Sequence, residues 1–297
     1  MTDERSTIRP VNLGRLVELT HLCTISLTGK SDVESELGVS GRRARETILE
    51  SSRIGLISTK QAANTPRYEA TSIGEDFVAK AEQGDWLGIS KILQTRSPHY
   101  GAFLNVVEGA DSIDSEAILE RLIVGAEHTP YNYNKTSVDV LGAWAQRLGI
   151  VQRNAFTGAF YSISGGELPS NFPSVLLSMV EELEGSAGIN LRQRYISIPQ
   201  LREHTCERLN CTRKDFDSSL VTLAEQNIGR LELSGAPIDT GAKDARYGIK
   251  TIQRSGSETL VSTEQSSEQV MRGVEHLGKM YYYLAVYDRK LTFNPDQ

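Results

Sequence analysis

Cysteine is scarce in this sequence, and long apolar runs are absent. The 297 residues contain three cysteines, Cys23, Cys206 and Cys211. An odd and sparse set in a chain of this length favours a reducing compartment and excludes a disulfide-stapled scaffold. No stretch approaches the roughly 18 consecutive apolar residues of a membrane helix, and the polar segment 1–10 does not resemble a signal peptide. We therefore expect a cytoplasmic protein that does not act at a membrane.

Motifs of common enzyme and metal sites are also lacking. No glycine-rich loop ends in Lys-Ser or Lys-Thr, as the phosphate loop of a nucleotide hydrolase does. The nearest approach to a metal cluster is His204-x-Cys206 with Cys211, and it lacks the second ligand pair of a structural zinc site. The other histidines are scattered. The sequence therefore predicts a protein that is not an enzyme and that needs no metal or cofactor.

Net positive charge is missing as well. The formal net charge is -6 and the pI is about 5.5, which excludes a protein that coats nucleic acid indiscriminately. A hydrophobic fraction of 39% argues against a disordered chain, and the length is sufficient for two or three small domains. An acidic protein with a local basic patch still suits a selective nucleic-acid binder.

The first strong pattern starts at Leu13, where apolar residues recur at helical spacing. Ser31-Asp32-Val33-Glu34 has the form of a capping box for a second helix, and Ser40 can cap a third helix that runs to about Arg53. Two short strands, 56–59 and 68–71, then flank a polar turn. The order is helix, helix, turn, helix and hairpin.

This order, together with the closing segment Tyr68-x-x-Thr71-x-x-Gly74 and the helix after it, resembles the winged helix-turn-helix regulators of the MarR and PadR kind. The resemblance covers about residues 11–95. It implies that the third helix enters the major groove of DNA and that the hairpin, or wing, contacts phosphates.

The segment that would contact DNA is locally basic. From Ser40 to Arg67 there are six cations and two acids, which gives +4 in a chain that is -6 overall. We predict that Ser40 and three arginines on the third helix, with two cations on the wing, bind nucleic acid; the residues are Arg42, Arg43, Arg45, Lys60 and Arg67. The alternative is a solvated helix face, in which Glu46 and Glu50 pair with the arginines.

The pattern of cap, apolar helix, glycine exit and strand recurs twice. We expect an α+β, predominantly helical protein of tandem winged-helix units, each with a small antiparallel hairpin. The predicted units are 1–96, 97–168 and 169–297, the last beginning with a connector helix. A coincidence of spacing is the alternative, since caps and glycine exits are common. In the third unit, either 247–252 or 280–287 could supply the returning strand.

The second unit offers weaker candidates for nucleic-acid contact. Lys135 precedes its third helix, Gln146 and Arg147 are predicted to be exposed on that helix, and Arg153 lies at its wing. A polar loop and a packed helix explain these residues equally well. In the third unit, Arg213 and Lys214 are followed at once by Asp215 and Asp217, which favours protein contact over DNA.

The leading hypothesis from the sequence is a transcriptional regulator that binds duplex DNA through its first unit. The rest of the chain would form a homodimer, sense a ligand or extend the contact with DNA. The alternative is a non-enzymatic adaptor or structural subunit of a larger nucleic-acid complex for defence, repair or segregation. Three dissimilar units, of which one is clearly basic, favour this alternative more than a simple regulator would.

Overall fold

A computed structural model describes residues 6–62, 65–163, 170–186, 195–235, 251–253, 259–261 and 270–294. The fold is α+β and predominantly helical, with small antiparallel strand pairs. The chain forms two compact units: unit 1 is Met1–Val151 with Ile249–Glu264, and unit 2 is Gln152–Gly248 with Gln265–Gln297.

Unit 1 consists mainly of helices, with a hairpin between the third helix and the fourth. In chain order its elements are α1 (Leu13–Ile25), α2 (Lys30–Glu36), α3 (Gly41–Ile54), β1 (Ile57–Ala62), β2 (Thr65–Ala70), α4 (Ser72–Gln83), α5 (Trp86–Arg96), α6 (Pro98–Glu108), α7 (Ser115–Gly125) and α8 (Lys135–Arg147). The short antiparallel pair β7 (Thr251–Gln253) and β8 (Thr259–Val261) also belongs to this unit.

The start of α2 differs from the predicted capping box. The N-cap is Gly29, and the carboxylate that reaches back to its N–H is that of Asp32, at 2.8 Å. The N-cap therefore lies two residues before the expected Ser31, and the helix begins at Lys30. The reason is spacing, since Asp32 lies three residues after Gly29 and accepts from its N–H as Glu34 would from the N–H of Ser31; glycine has no side chain to supply the other half of a capping box.

The third helix and the hairpin have the predicted positions. Helix α3 begins after Ser40 and ends at Gly55, whose φ of 83° suits glycine. Strands β1 and β2 pair with Ile57 opposite Ala70, and a single bridge joins Thr28 to Tyr68. Residue 28, between α1 and α2, is thus attached to the returning strand of the hairpin.

The core of unit 1 continues from the first helices into α8. Leu16 and Leu19 of α1 are buried, and so are Phe103 of α6 and Trp144 of α8. The Trp144 indole N–H donates to the backbone carbonyl of Val11 at 2.8 Å, which ties α8 to the segment before α1. Helices α1–α8 therefore belong to one compact body.

Unit 2 contains a small sheet packed against helices. Its elements in chain order are β3 (Val151–Arg153), in which the unit boundary falls, β4 (Phe160–Ser162), α9 (Phe172–Ser186), β5 (Ile196–Ser197), α10 (Ile198–Leu209), α11 (Arg213–Gln226), β6 (Leu231–Ser234), β9 (Val274–His276), β10 (Lys279–Tyr281) and β11 (Tyr283–Val286).

The sheet of unit 2 decides between the two candidate returning strands. Its order is β5-β11-β6, with Leu284 opposite both Ile196 and Leu233. The strand therefore comes from the 280–287 run. Of the rival segment 247–252, residues 247–250 lie outside the described residues, and Thr251 and Ile252 pair with β8 instead. The predicted connector helix is α9, which packs against α10.

The predicted boundaries at 96 and 168 differ from this division. Helices α6–α8 belong to unit 1, whereas the β3–β4 hairpin that was expected to complete them falls mostly in unit 2. Among the described helices, none combines the length and the apolar composition required to cross a bilayer.

Candidate nucleic-acid interface

The sequence of α3 divides the helix into a buried stripe and an outward face. Ala44, Thr47, Ile48 and Ser51 recur at spacings of three and four residues and are all buried. The three arginines of the first turns, Arg42, Arg43 and Arg45, are exposed to solvent. We call them the α3 arginines. The periodicity that buries one stripe of this helix is what presents the cations on the rest of its surface.

The α3 arginines differ in their partners. Arg42 has a side chain 88% exposed, and its Nε lies 3.4 Å from Oε1 of Glu46, one turn later. Within the described part of the chain, Arg43 and Arg45 have no carboxylate partner. Ser40 is exposed at the N-cap, and its hydroxyl makes no capping hydrogen bond. Two guanidinium groups and one hydroxyl are thus available at the start of this helix.

The two cations of the hairpin are both paired with carboxylates of the protein. Lys60 and Arg67 lie directly opposite each other on β1 and β2. Two like charges in this position repel each other. The repulsion is offset because Lys60 Nζ lies 2.7 Å from Glu69 Oε2 and Arg67 Nη1 lies 2.6 Å from Asp32 Oδ2. The hairpin therefore carries less free positive charge than its sequence indicates.

The Arg67–Asp32 pair also fixes the hairpin to α2. The Gly29 N–H is the main cause that holds the pKa of Asp32 below its usual value, and the charge of Arg67 adds to it. A Cβ on Gly29 would lie 3.0 Å from Arg67 Nη1, so a residue with a side chain would crowd the guanidinium. This ion pair is part of the fold as well as part of the surface.

Arg53, which contributes to the basic count of the segment, is used inside unit 1. Its guanidinium contacts Glu50, which is fully buried and also pairs with Arg9. Arg53 Nη1 also lies 3.0 Å from His99 Nδ1, and His99 Nε2 lies 2.8 Å from the carbonyl oxygen of Ser6. The sequence gives no sign of this cluster, because its members come from three segments that lie far apart in the chain.

Burial gives His99 a defined chemical state. Desolvation lowers its pKa, against the raising effect of its hydrogen bond to Ser6, and the charge of Arg53 lowers the pKa further. The neutral ring donates from Nε2 to Ser6 and accepts at Nδ1 from Arg53. Tyr131 and Tyr133 pack edge-on against the ring. The cluster therefore links the C-terminal part of α3 to His99 of α6.

The candidate residues on α8 are only partly accessible. Lys135 is exposed at the first position of the helix. The prediction that Gln146 and Arg147 are exposed is wrong. Arg147 is buried, with 4% of its surface accessible, and the half-buried Gln146 donates from Nε2 to the carbonyl of Gly142. Because α8 packs against α1, α6 and α7, more than one side of the helix is covered.

The structure uses Arg153 within the β3–β4 hairpin. The residue is exposed, but its guanidinium stacks over the Phe160 ring at 5.0 Å, and its Nε donates to the carbonyl of Gly158 at 3.0 Å. Stacking and hydrogen bonding of this kind hold a side chain in one orientation. Arg153 therefore organises its own hairpin.

Helix α11 of unit 2 begins with cations as α3 does, but one of them is internal. Arg213 Nη2 donates to Glu203 Oε2 at 2.8 Å, and the Glu203 side chain is fully buried. Lys214, the next residue, is exposed. The start of α11 thus offers one accessible cation, with Asp215 close by as the capping-box carboxylate.

A groove of about 540 Å³ between α4 and α5 was not indicated by any motif. Its polar lining is mixed, since Lys80 is held between Asp76 and Asp85 at 3.7 and 3.2 Å. Lys91 and Arg96 are exposed beside it. Across the described residues, no three His, Cys, Asp or Glu side chains come together as a metal site, and the three cysteines are free thiols.

Comparison with known proteins found no matching family model and no matching curated sequence. The α3 arginines and the elements around them are therefore the features of this chain that indicate a function.

Proposed function

We propose that the protein binds duplex DNA through α3 and acts as a transcriptional regulator in the cytoplasm, without catalytic activity. The observation that carries the proposal is the exposed start of α3, where Arg43 and Arg45 have no carboxylate partner among the described residues. A guanidinium group can donate two hydrogen bonds to the edge of one guanine, or it can bind a phosphate. An α-helix fits the major groove, and α3 lies between a preceding helix and a hairpin.

The arrangement around α3 supports a winged-helix interpretation. Its elements follow the order helix, bridge, helix, helix and hairpin, and residue 28 pairs with the returning strand at Tyr68. Unit 2 has the same order in α9, β5, α10, α11, β6 and β11, with β5 likewise beside the returning strand. We therefore extend the proposal to tandem winged-helix units along the chain, because unit 2 repeats the element order found around α3.

Charge reversal of the unpaired arginines tests the proposal. The double variant Arg43→Glu/Arg45→Glu should lose binding to a short duplex by roughly 100-fold or more, since each good bidentate contact is worth ~1–3 kcal/mol. The duplex is obtained by selection from a random-sequence library with the purified protein. Affinity is measured by fluorescence anisotropy across salt concentrations, because binding that neutralises phosphates weakens as salt rises.

A matched control separates this surface from a general charge effect. The double variant Lys91→Glu/Arg96→Glu makes the same change in net charge on α5, where both cations are exposed. It should bind the selected duplex as the unmodified protein does. Equal binding by the Arg43→Glu/Arg45→Glu variant, or equal losses in both variants, would contradict the proposed role of α3.

A second candidate function, an adaptor subunit in a larger nucleic-acid complex, is favoured by the surface of unit 2. Ile228 and Leu277 are 88% and 84% exposed, and Leu277 occupies a left-handed conformation with φ of 49° at a hairpin turn. Large apolar side chains that stay exposed, one of them in a strained backbone conformation, suit a protein contact. Tagged chain that co-purifies with a defined larger subunit, and loses it in an Ile228→Ser/Leu277→Ser variant, would favour the adaptor.

A further inference from the structure

Most cations that surround the proposed groove contacts are held by carboxylates of the same unit. Arg42 pairs with Glu46, Lys60 with Glu69 and Arg67 with Asp32. Arg43 and Arg45 have no such partner in the described part of the chain. Five cations against three carboxylates leave a charge of +2 on the surface that would face DNA.

These pairs are weak enough for phosphate to replace them. Both Arg42 and Lys60 have side chains more than half exposed, so their attraction to a carboxylate is screened by water and salt. A carboxylate and a phosphate offer the same kind of oxygen acceptor to the same N–H group. Each carboxylate therefore competes directly with a DNA phosphate for its cation.

We propose that Glu46 and Glu69 are specificity-determining residues. This proposal rests on the duplex-binding function. The two carboxylates occupy Arg42 and Lys60 and so weaken binding to any polyanion that offers only phosphates. A duplex that presents guanine to Arg43 and Arg45 gains base contacts first, and it then draws Arg42 and Lys60 from their carboxylates onto its backbone. The preferred ligand is a guanine-containing duplex rather than a generic anionic surface.

Asp32 has a different role and is left out of the test. It caps α2 through the Gly29 N–H and fixes the hairpin through Arg67. Its removal would disturb the fold, so a change in DNA binding would have two causes. Glu46 and Glu69 have no such capping function, and their amide variants keep the shape of the side chain.

The experiment compares Glu46→Gln, Glu69→Gln and the double variant on two duplexes of equal length, one of random sequence and one selected for binding. Anisotropy titrations are run between about 50 and 300 mM salt. We expect each substitution to tighten random-duplex binding by about two- to fivefold, the range that an exposed ion pair supports. The slope of log affinity against log salt should steepen by about 0.9 for each released cation. The ratio of selected to random affinity should fall.

Glu120→Gln is the matched control. Glu120 is exposed on α7, outside α3 and the hairpin, and its substitution changes the net charge by the same amount. It should leave both affinities and the salt slope unchanged. An equal gain in Glu120→Gln would show a general charge effect and would overturn the proposal. Thermal unfolding of every variant, followed by circular dichroism, checks that the fold is kept.

The outcomes separate this inference from the function on which it rests. If Glu46→Gln and Glu69→Gln bind random duplex as the unmodified protein does, while Arg43→Glu/Arg45→Glu has lost binding, the carboxylates do not determine specificity and the DNA-binding function stands. If the arginine variant also binds normally, both proposals fail. If random-duplex binding tightens and the selectivity falls only in the two carboxylate variants, the inference is supported.

Discussion

Helices α3 and α11 both begin with cations, but the two units use these cations differently. Both helices have 14 residues, both follow a shorter helix and a turn, and both precede a strand. Arg42 and Arg43 of α3 face solvent, whereas Arg213 of α11 faces inward to a buried carboxylate. The deciding factor is the neighbouring helix: α10 provides Glu203, fully buried, as the partner of Arg213.

A basic sequence at a helix start therefore does not by itself indicate a nucleic-acid surface. A buried arginine stabilises its own unit, because it satisfies a carboxylate that water cannot reach. An exposed arginine contributes little to stability and is free to bind a ligand. The two roles can be distinguished by measuring stability and binding on the same variants.

The largest effect is expected from Arg213→Ala. Removing one partner of a buried pair leaves the Glu203 carboxylate without its guanidinium partner, which costs about 3–5 kcal/mol. Hydrogen exchange of α10 and α11 should show this loss in unit 2. Both tryptophans, Trp86 and Trp144, lie in unit 1, so tryptophan fluorescence should report unchanged unfolding of that unit.

Lys214→Ala, at the exposed next position, should cost less than about 0.5 kcal/mol. Equal losses of stability in Arg213→Ala and Lys214→Ala would contradict the internal role of Arg213.

The next largest effect concerns binding rather than stability. Arg43→Ala and Arg45→Ala should each lower affinity for the selected duplex by about tenfold, since one good contact is worth ~1–3 kcal/mol. Neither should change the free energy of unfolding by more than about 0.5 kcal/mol. Anisotropy and urea unfolding followed by tryptophan fluorescence measure the two quantities. A clear loss of stability without a loss of binding would assign these arginines to the fold.

A smaller effect is expected from pH, and it should distinguish the units. Burial lowers the pKa of His99 below its ordinary 6.5, so the folded state resists protonation more than the unfolded state. The stability that neutral His99 contributes is fully present above pH 6.5 and is lost as the pH falls below that value. Urea unfolding of unit 1, followed by fluorescence, should show this decline. In a His99→Gln variant the decline should be reduced, and an unchanged decline would show that another group causes it.

The smallest expected effect is on the accessible cation of unit 2. Lys214→Glu should change affinity for the selected duplex by less than about twofold, because a single exposed charge near Asp215 and Asp217 is screened. A loss comparable to that of Arg43→Ala would mean that α11 also contacts the duplex. Both helix starts would then contact DNA, and the two helices would differ only in the burial of their arginines.

The positions of α3 and α11 could be predicted from the sequence because their signals are local. A capping residue at Ser40 or Thr212, followed by apolar residues at spacings of three and four, is sufficient to place each helix within one or two residues. The exposure of Arg42, Arg43 and Arg45 follows from the same spacing. These parts of the candidate site needed no information about distant residues.

The partners of the cations could not be predicted, because they come from other elements. The sequence predicts phosphate contacts for Lys60 and Arg67. Predicting their ion pairs with Glu69 and Asp32 would require the strand register and the position of α2. Arg147 was expected on the surface, but several helices cover α8 on more than one side. Which candidate strand returns to β6 was likewise open, since strand pairing depends on contacts far apart in sequence.

The position of β11 in the sheet affects the order in which the two units can fold. This strand is encoded near the end of the described chain, yet it lies in the middle of the sheet, between β5 and β6. While a ribosome is still synthesising the preceding residues, those two strands have no neighbour to join them. Helices α1–α8, in contrast, all precede residue 148 and contact one another, so they can assemble before β11 is synthesised. We therefore expect the arginine-bearing unit to acquire its structure during translation, and the second unit only after residue 286 has left the exit tunnel.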